Sequence, residues 1–237
     1  MQPLWRWLAL LLCAVLALQL FFVVRIATMA HLDPASTSFQ RSDAWQLLNA
    51  GQMQQWRQQW APYAQISEHL KRAVVASEDD GFVEHSGVEW DAIERAWERN
   101  QRAEEKAAAA GRSPQKVYGG STITQQLAKN LLLSGERSFL RKGQELVLAK
   151  LLELFLDKRR ILEIYLNHVE WGPGIFGAEA AAQQYFGKPA SRLNAAEAAR
   201  LAVMLPQPKR FAQQPQSRYL AQRARLLQRR MAHTVLP

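Results

Sequence analysis

The chain has 237 residues, with 30 Lys and Arg against 21 Asp and Glu, and 48% of its residues are hydrophobic. That apolar content excludes wholesale disorder, and the single Cys excludes a disulfide framework or a cysteine-clustered metal site. Residues 1–187 carry 20 basic and 20 acidic side chains, whereas residues 188–237 carry ten basic ones and only Glu197.

Residues 8–24 form an apolar run broken only by Gln19, with Arg6 before it and Arg25 after. With Trp7 and Ile26-Ala27 it reaches the length of roughly 20 residues that spans a hydrocarbon core. Trp5 and Trp7 suit the membrane interface, and Arg6 with the free amine favours an inside amino terminus. The alternative is a cleaved secretory signal ending near Ala30; either reading exports the remaining residues. Cys13 lies inside the run and reads as an apolar filler. The expected organisation is a cytoplasmic stub and transmembrane anchor over 1–30, a polar linker over 31–43, and one domain over 44–237 ending in a basic helix.

Beyond the linker the pattern is helical almost throughout. Apolar residues recur at helical spacing over 44–60, 66–79, 88–110, 122–133, 138–156, 158–168, 177–186, 194–204 and 217–232. Alternating strand patterns are scarce, so a mainly α fold is expected. From Leu146 to Leu156 the helix over 138–156 is apolar nearly all round, which predicts a central core position.

Three stretches carry candidate chemistry. In 74–87, Glu78, Phe82 and His85 fall at i, i+4 and i+7, and Glu78 comes after small apolar residues that predict partial burial and a raised carboxyl pKa. An ordinary acidic helix end is the competing reading. In 118–130, Gly119-Gly120 gives a flexible entry and Ser121 or Thr122 can cap a helix. The polar groups of Thr124, Gln125, Gln126, Lys129 and Asn130 are then suited to a sugar or phosphate ligand. At the head of 138–156, Arg141 and Lys142 stand beside Glu145, an arrangement for a phosphate or for an ordinary ion pair.

Taken in order, the segments EDDGFVEHSGVEWDAIERA (78–96), GGSTITQQLAKN (119–130), RKGQELVLAKLLE (141–153), KRRILEIYLN (158–167) and GIFGAEAAAQQYFGK (174–188) resemble the peptidoglycan glycosyltransferases of glycosyltransferase family 51, in its monofunctional branch. The resemblance implies a lysozyme-like α-helical fold with a larger lobe and a small membrane-hugging lobe. It implies that Glu78 is the general base, taking a proton from the 4-hydroxyl of acceptor lipid II. That oxygen then attacks the anomeric carbon of the growing strand, and undecaprenyl pyrophosphate departs with inversion to give a β-1,4 link. Glu145 matches the second essential glutamate, and Lys129, Arg137 and Arg141 match positions near the pyrophosphate. Arg95 matches a basic position of the first motif. Asp79, Phe82, His85, Ser121, Thr122, Gln125, Gln126 and Lys142 are implied to shape the substrate-binding site. No organic cofactor is implied, and a divalent ion is left open. The implied partners are lipid II, the glycan strand, membrane phospholipids and other cell-wall proteins, with no nucleic acid. The implied location is the bacterial inner membrane, single-pass, with the domain on the periplasmic side.

The segment 101–117 looks longer than the family norm. GPGIFG (172–177) fits the letters of a dinucleotide fingerprint without a preceding strand pattern, so a tight turn against Tyr185-Phe186 is expected instead. SPQK (113–116) lacks the companion motifs of a transpeptidase. Two rivals remain: a muramidase-like hydrolase, which leaves Lys129, Arg137, Arg141 and Lys142 unexplained, and a tethered binding protein. The basic tail (Arg218, Arg223, Arg225, Arg229, Arg230) is expected to add affinity for anionic headgroups rather than chemistry. Leu131-Leu132-Leu133 and Phe139-Leu140 are read either as lipid-dipping residues or as core.

Overall fold

A computed structural model describes residues 4–112, 119–136 and 138–237. The first helix, α1 (Leu4–Thr28), is long and apolar enough to cross a membrane. Residues 4–18 are exposed at every position, but Phe22, Ile26 and Met29, on one helical face, are buried in the core of the domain. Cleavage at Ala30 would therefore strip three core side chains.

The expected linker is helical from Ser38. Thr37 Oγ1 accepts from Gln40 N (3.0 Å) and Gln40 Oε1 accepts from Thr37 N (2.8 Å), a reciprocal capping box that starts α2 (Ser38–Asn49). The expected single helix over 44–60 ends early because Gly51 takes φ +65°. Residues 57–58 then form β1 (Arg57–Gln58).

The next helices lie close to their expected positions. They are α3 (Glu68–Glu78), α4 (Trp90–Ala109), α5 (Ile123–Leu132), α6 (Phe139–Phe155) and α7 (Lys158–His168). After β2 (Glu170–Gly172) and β3 (Ile175–Phe176) come α8 (Ala178–Phe186), α9 (Ala195–Ala202), the short α10 (Pro208–Ala212) and α11 (Arg218–Met231). β3 lies between β1, which it pairs in parallel, and antiparallel β2, in a small sheet that the helical periodicity did not reveal. The GPGIFG segment is the β2–β3 turn and the entry to α8. Gly177 adopts φ +88°, and a Cβ there would meet Asn167 O at 2.7 Å. Tyr185 packs against this turn and donates to Trp171 O (2.7 Å).

Two helical groups make the core. α3, α9 and α11 pack on one another, while α5 packs on α6 and α7, and α1 lies along α6. Helix α6 is not central on all sides. Leu148, Ala149, Leu152 and Leu156 are buried, but Val147 and Leu154 face outward, and Phe139 and Leu140 at its start are 99% and 88% exposed. The core reading thus holds for Leu131 and Leu132 and fails for Phe139 and Leu140.

One polar cluster ties α2 to the carboxyl-terminal segment. Lys209 Nζ lies 2.5 Å from Asp43 Oδ1 and 3.5 Å from Glu170 Oε1. Burial, with Asp43 adding to it and Lys209 opposing, pushes the Glu170 carboxyl from 4.5 up to about 7. The cost of ionising it in the fold is absent below about pH 4.5, grows between 4.5 and 7, and is complete above that. Glu170→Gln is accordingly expected to raise Tm at pH 8 and to change it little at pH 4.5. Melting curves at the two pH values check this; equal shifts would remove the argument.

Candidate active site

Helix α3 runs to Glu78 and stops there, because Asp79, Asp80 and Gly81 leave the helical path. Phe82 and His85 therefore lie in the next turn, not on one helical face with Glu78. Phe82 is fully buried, with Lys158 Nζ 4.5 Å from its ring centroid, so it supports the loop from beneath. His85 Nδ1 accepts from Gly87 N (3.1 Å), which leaves Nε2–H to donate to Asp79 Oδ1 (2.8 Å). Asp79, itself buried, accepts from Ile123 N (2.9 Å) through its other oxygen. The loop after Glu78 is thereby fastened to the first turn of α5.

Glu78 is partly exposed and lines an open cleft with Asp80, Glu89, Gly120, Ser121 and Arg230. Its Oε2 accepts from Gln126 Nε2 (3.0 Å) and its Oε1 accepts a longer bond from Ser77 Oγ (3.3 Å). Desolvation raises its carboxyl pKa; the Gln126 and Ser77 bonds pull it down and the Asp79 charge pushes it up, with a net upward shift. Gln126 Oε1 in turn accepts from the buried Tyr165 hydroxyl (3.0 Å), a partner from α7 that lies in the 158–167 segment, where the sequence reading assigns it no role.

Of the Gly119-Gly120 pair, Gly120 serves close packing, while Gly119 has open space around it. A Cβ on Gly120 would come within 2.8 Å of Ala92 O and 2.9 Å of Ile93 Cα, so only glycine lets this segment pass α4. Thr122 caps α5 in a second capping box with Gln125 and donates its hydroxyl to Gly87 O (2.7 Å). Gln125 is fully buried in this role, and Thr124 donates to Glu153 (2.6 Å). The ligand-facing role expected of both is corrected to scaffolding; of the two adjacent glutamines, only Gln126 reaches a cleft carboxylate.

A second carboxylate lies on α6. Glu145 is 3% exposed and accepts from Arg141 Nη1 (2.6 Å) through Oε2 and from Lys142 Nζ through Oε1. Lys142 also donates to Ser121 Oγ (3.1 Å). Glu78 and Glu145 are thus joined through the start of α5, one by Gln126 and the other by Ser121. The buried Nε of Arg141 has no hydrogen-bond partner among the described residues.

The remaining expected residues are placed less centrally. Arg95 is exposed on α4 and pairs with Glu89 (2.6 Å), so it borders the cleft through that carboxylate. Lys129 Nζ, in the last turn of α5, lies 5.4 Å from the Phe39 ring centroid. Arg137 and the 113–116 segment lie outside the described residues. Arg230, read as part of a surface tail, instead turns into the cleft, donating to Ala76 O (3.0 Å) and Asp80 Oδ2 (3.2 Å). Its place in an amphipathic helix gave no sign of this. Asp79, His85 and Glu89 bring ligand-type atoms within 4.8 Å of one another. Both His85 nitrogens, both Asp79 oxygens and Glu89 already have partners, so an ion there would have to displace these bonds.

A desolvated carboxylate on an open cleft, joined through one helix to a cation-bound carboxylate, defines a site for transfer chemistry with a negatively charged leaving group. The family model for transglycosylases matches residues 46–232, and the chain belongs to that family. It carries the mainly α, lysozyme-like architecture that the motifs implied. The chain is 55% identical over 236 residues to the biosynthetic peptidoglycan transglycosylase of Burkholderia thailandensis, covering 98% of this chain and 88% of the relative. It is 52% identical to the protein of the same name from Paraburkholderia xenovorans, covering 98% and 94%.

Proposed function

We propose that this chain is a peptidoglycan glycosyltransferase that polymerises lipid II into β-1,4-linked glycan with release of undecaprenyl pyrophosphate. The observation that carries the reading is Glu78, a carboxylate of raised pKa held by Gln126 and Ser77 at an open cleft. In this reading it takes the proton of the acceptor 4-hydroxyl as that oxygen attacks the anomeric carbon. Negative charge then develops on the departing pyrophosphate, where Arg141 and Lys142 supply fixed cations and the family resemblance adds Lys129 and Arg137. The N–H at Arg141 Nε, without a partner among the described residues, is a donor suited to a phosphate oxygen. Glu145 holds Arg141 and Lys142 in place for that step.

Helix α1 would anchor the chain in the bacterial inner membrane, with the domain over 44–237 on the periplasmic side. The exposed arginines of α11 are left to meet anionic headgroups, with Arg230 excepted because it faces the cleft. A hydrolase has no use for the cation cluster on α6, since cleaving a glycan strand expels no phosphate. Incubating the detergent-purified full chain with labelled lipid II tests the reading. Polymer is the expected product; cleavage of preformed strands without polymer, or inertness to both, would overturn it.

A further inference from the structure

Gln19 is the one polar residue in the apolar run 8–24, and an amide in such a place needs a partner. It has one, on the helix that carries Glu145. Gln19 Nε2 donates to Gln144 Oε1 (3.2 Å), and Gln144 Nε2 donates back to Gln19 Oε1 (3.0 Å). We propose that Gln19 is a positioning residue for the α6 cluster, and that α1 forms part of the catalytic frame as well as being a tether. The inference rests on the readings of α1 as a membrane span and of Glu145 as part of the site.

Three observations carry it. With Trp5 and Trp7 at the interface, the exposed apolar residues 8–18 of α1 cover about 16 Å at 1.5 Å per residue. A hydrocarbon core is roughly 30 Å thick. The span is therefore completed only by including residues that pack on the domain, and the Gln19–Gln144 pair sits inside the apolar layer. Water cannot replace either amide bond there, so the pair fixes one register of α1 against α6. Next, successive helical residues point about 100° apart. Gln144 is held by α1, while Glu145 beside it is held by Arg141 and Lys142, with Lys142 bound to Ser121. Helix α6 is thus gripped on two sides at the level of its cations. Finally, α1 is fixed at its outer end as well. Phe22, Ile26 and Met29 are in the core, and Arg160 Nε donates to Met29 O (2.9 Å). A helix held at that end transmits a fixed position to Gln19.

The test uses the full chain with labelled lipid II, comparing Gln19→Leu, Gln144→Leu and the double variant. Leucine keeps the segments apolar, so insertion is retained. Cys13→Ser, on the exposed part of α1, serves as the control and should keep its parent's kcat. Each single variant is expected to lower kcat roughly three- to tenfold with KM within about twofold, and the double variant to fall no further than the worse single. Independent, multiplying losses in the double variant, unchanged kcat in the singles, or a loss confined to KM would overturn the proposal. The same cycle read by Tm should also be non-additive. If the parent makes no polymer, the functional reading fails, while additive melting shifts would defeat the clamp itself.

Discussion

Replacing Glu78 with glutamine is expected to lower kcat by roughly 10²–10⁴-fold while leaving the fold intact, because it removes a general base and little else. Glutamine keeps the shape at the end of α3. It can still accept from Gln126 or Ser77 through its one oxygen, so Tm should move little. The accompanying pH profile is as informative as the rate. Desolvation raises the Glu78 carboxyl above its ordinary 4.5, and a base works only when ionised. The acid limb of kcat/KM in the parent should therefore lie above the ordinary carboxylate range, with activity rising as pH rises through it. A fully active Glu78→Gln variant would sink the mechanism, and an acid limb at 4.5 or below would remove the role given to burial.

Glu145→Gln should have the second-largest effect, for a different reason. Glu145 is nearly inaccessible, with one cation on each oxygen, so it cannot readily take a proton from a substrate. Its work is to hold Arg141 and Lys142 in position. Glutamine offers one neutral acceptor in place of two charged ones and turns its NH₂ toward one of the cations. Misplacing a donor that meets developing charge costs about 10²-fold or more in kcat. Circular dichroism should show the helical fold retained. The loss should fall on kcat and leave the Glu78 acid limb where it is; a shift of that limb would mean that Glu145 also shares in the proton transfer.

Most of the helices were legible because their apolar residues keep a 3.6-residue period, and α3, α5 and α7 begin and end within two residues of the expected points. The errors have identifiable causes. The start of α2 was written in Thr37 and Gln40, but a capping pair inside a polar stretch reads equally well as linker. For α6, exposed apolar side chains and core-facing ones have the same composition, so Leu154 looked like core and Phe139-Leu140 could be read either way. Gln125 and Gln126 are adjacent in the chain yet point about 100° apart. One closes a helix cap and the other faces Glu78, and only the backbone decides which. Tyr165 and Arg230 reach the site across tertiary packing from distant helices, which no local pattern encodes.

The bond from Tyr165 to Gln126 gives the Glu78 carboxylate two unequal edges. The Tyr165 hydroxyl holds the carbonyl end of the Gln126 amide, and a flip would aim that oxygen at an ionised carboxylate. The NH₂ end therefore stays on Glu78 Oε2, and its hydrogen bond lowers the basicity of that oxygen. Among the described residues Oε1 is touched only by the longer Ser77 contact, which leaves it the more basic edge. Proton uptake is thereby favoured at one edge of Glu78, so in the proposed mechanism discrimination among incoming hydroxyl groups begins with which of them can reach the Oε1 side.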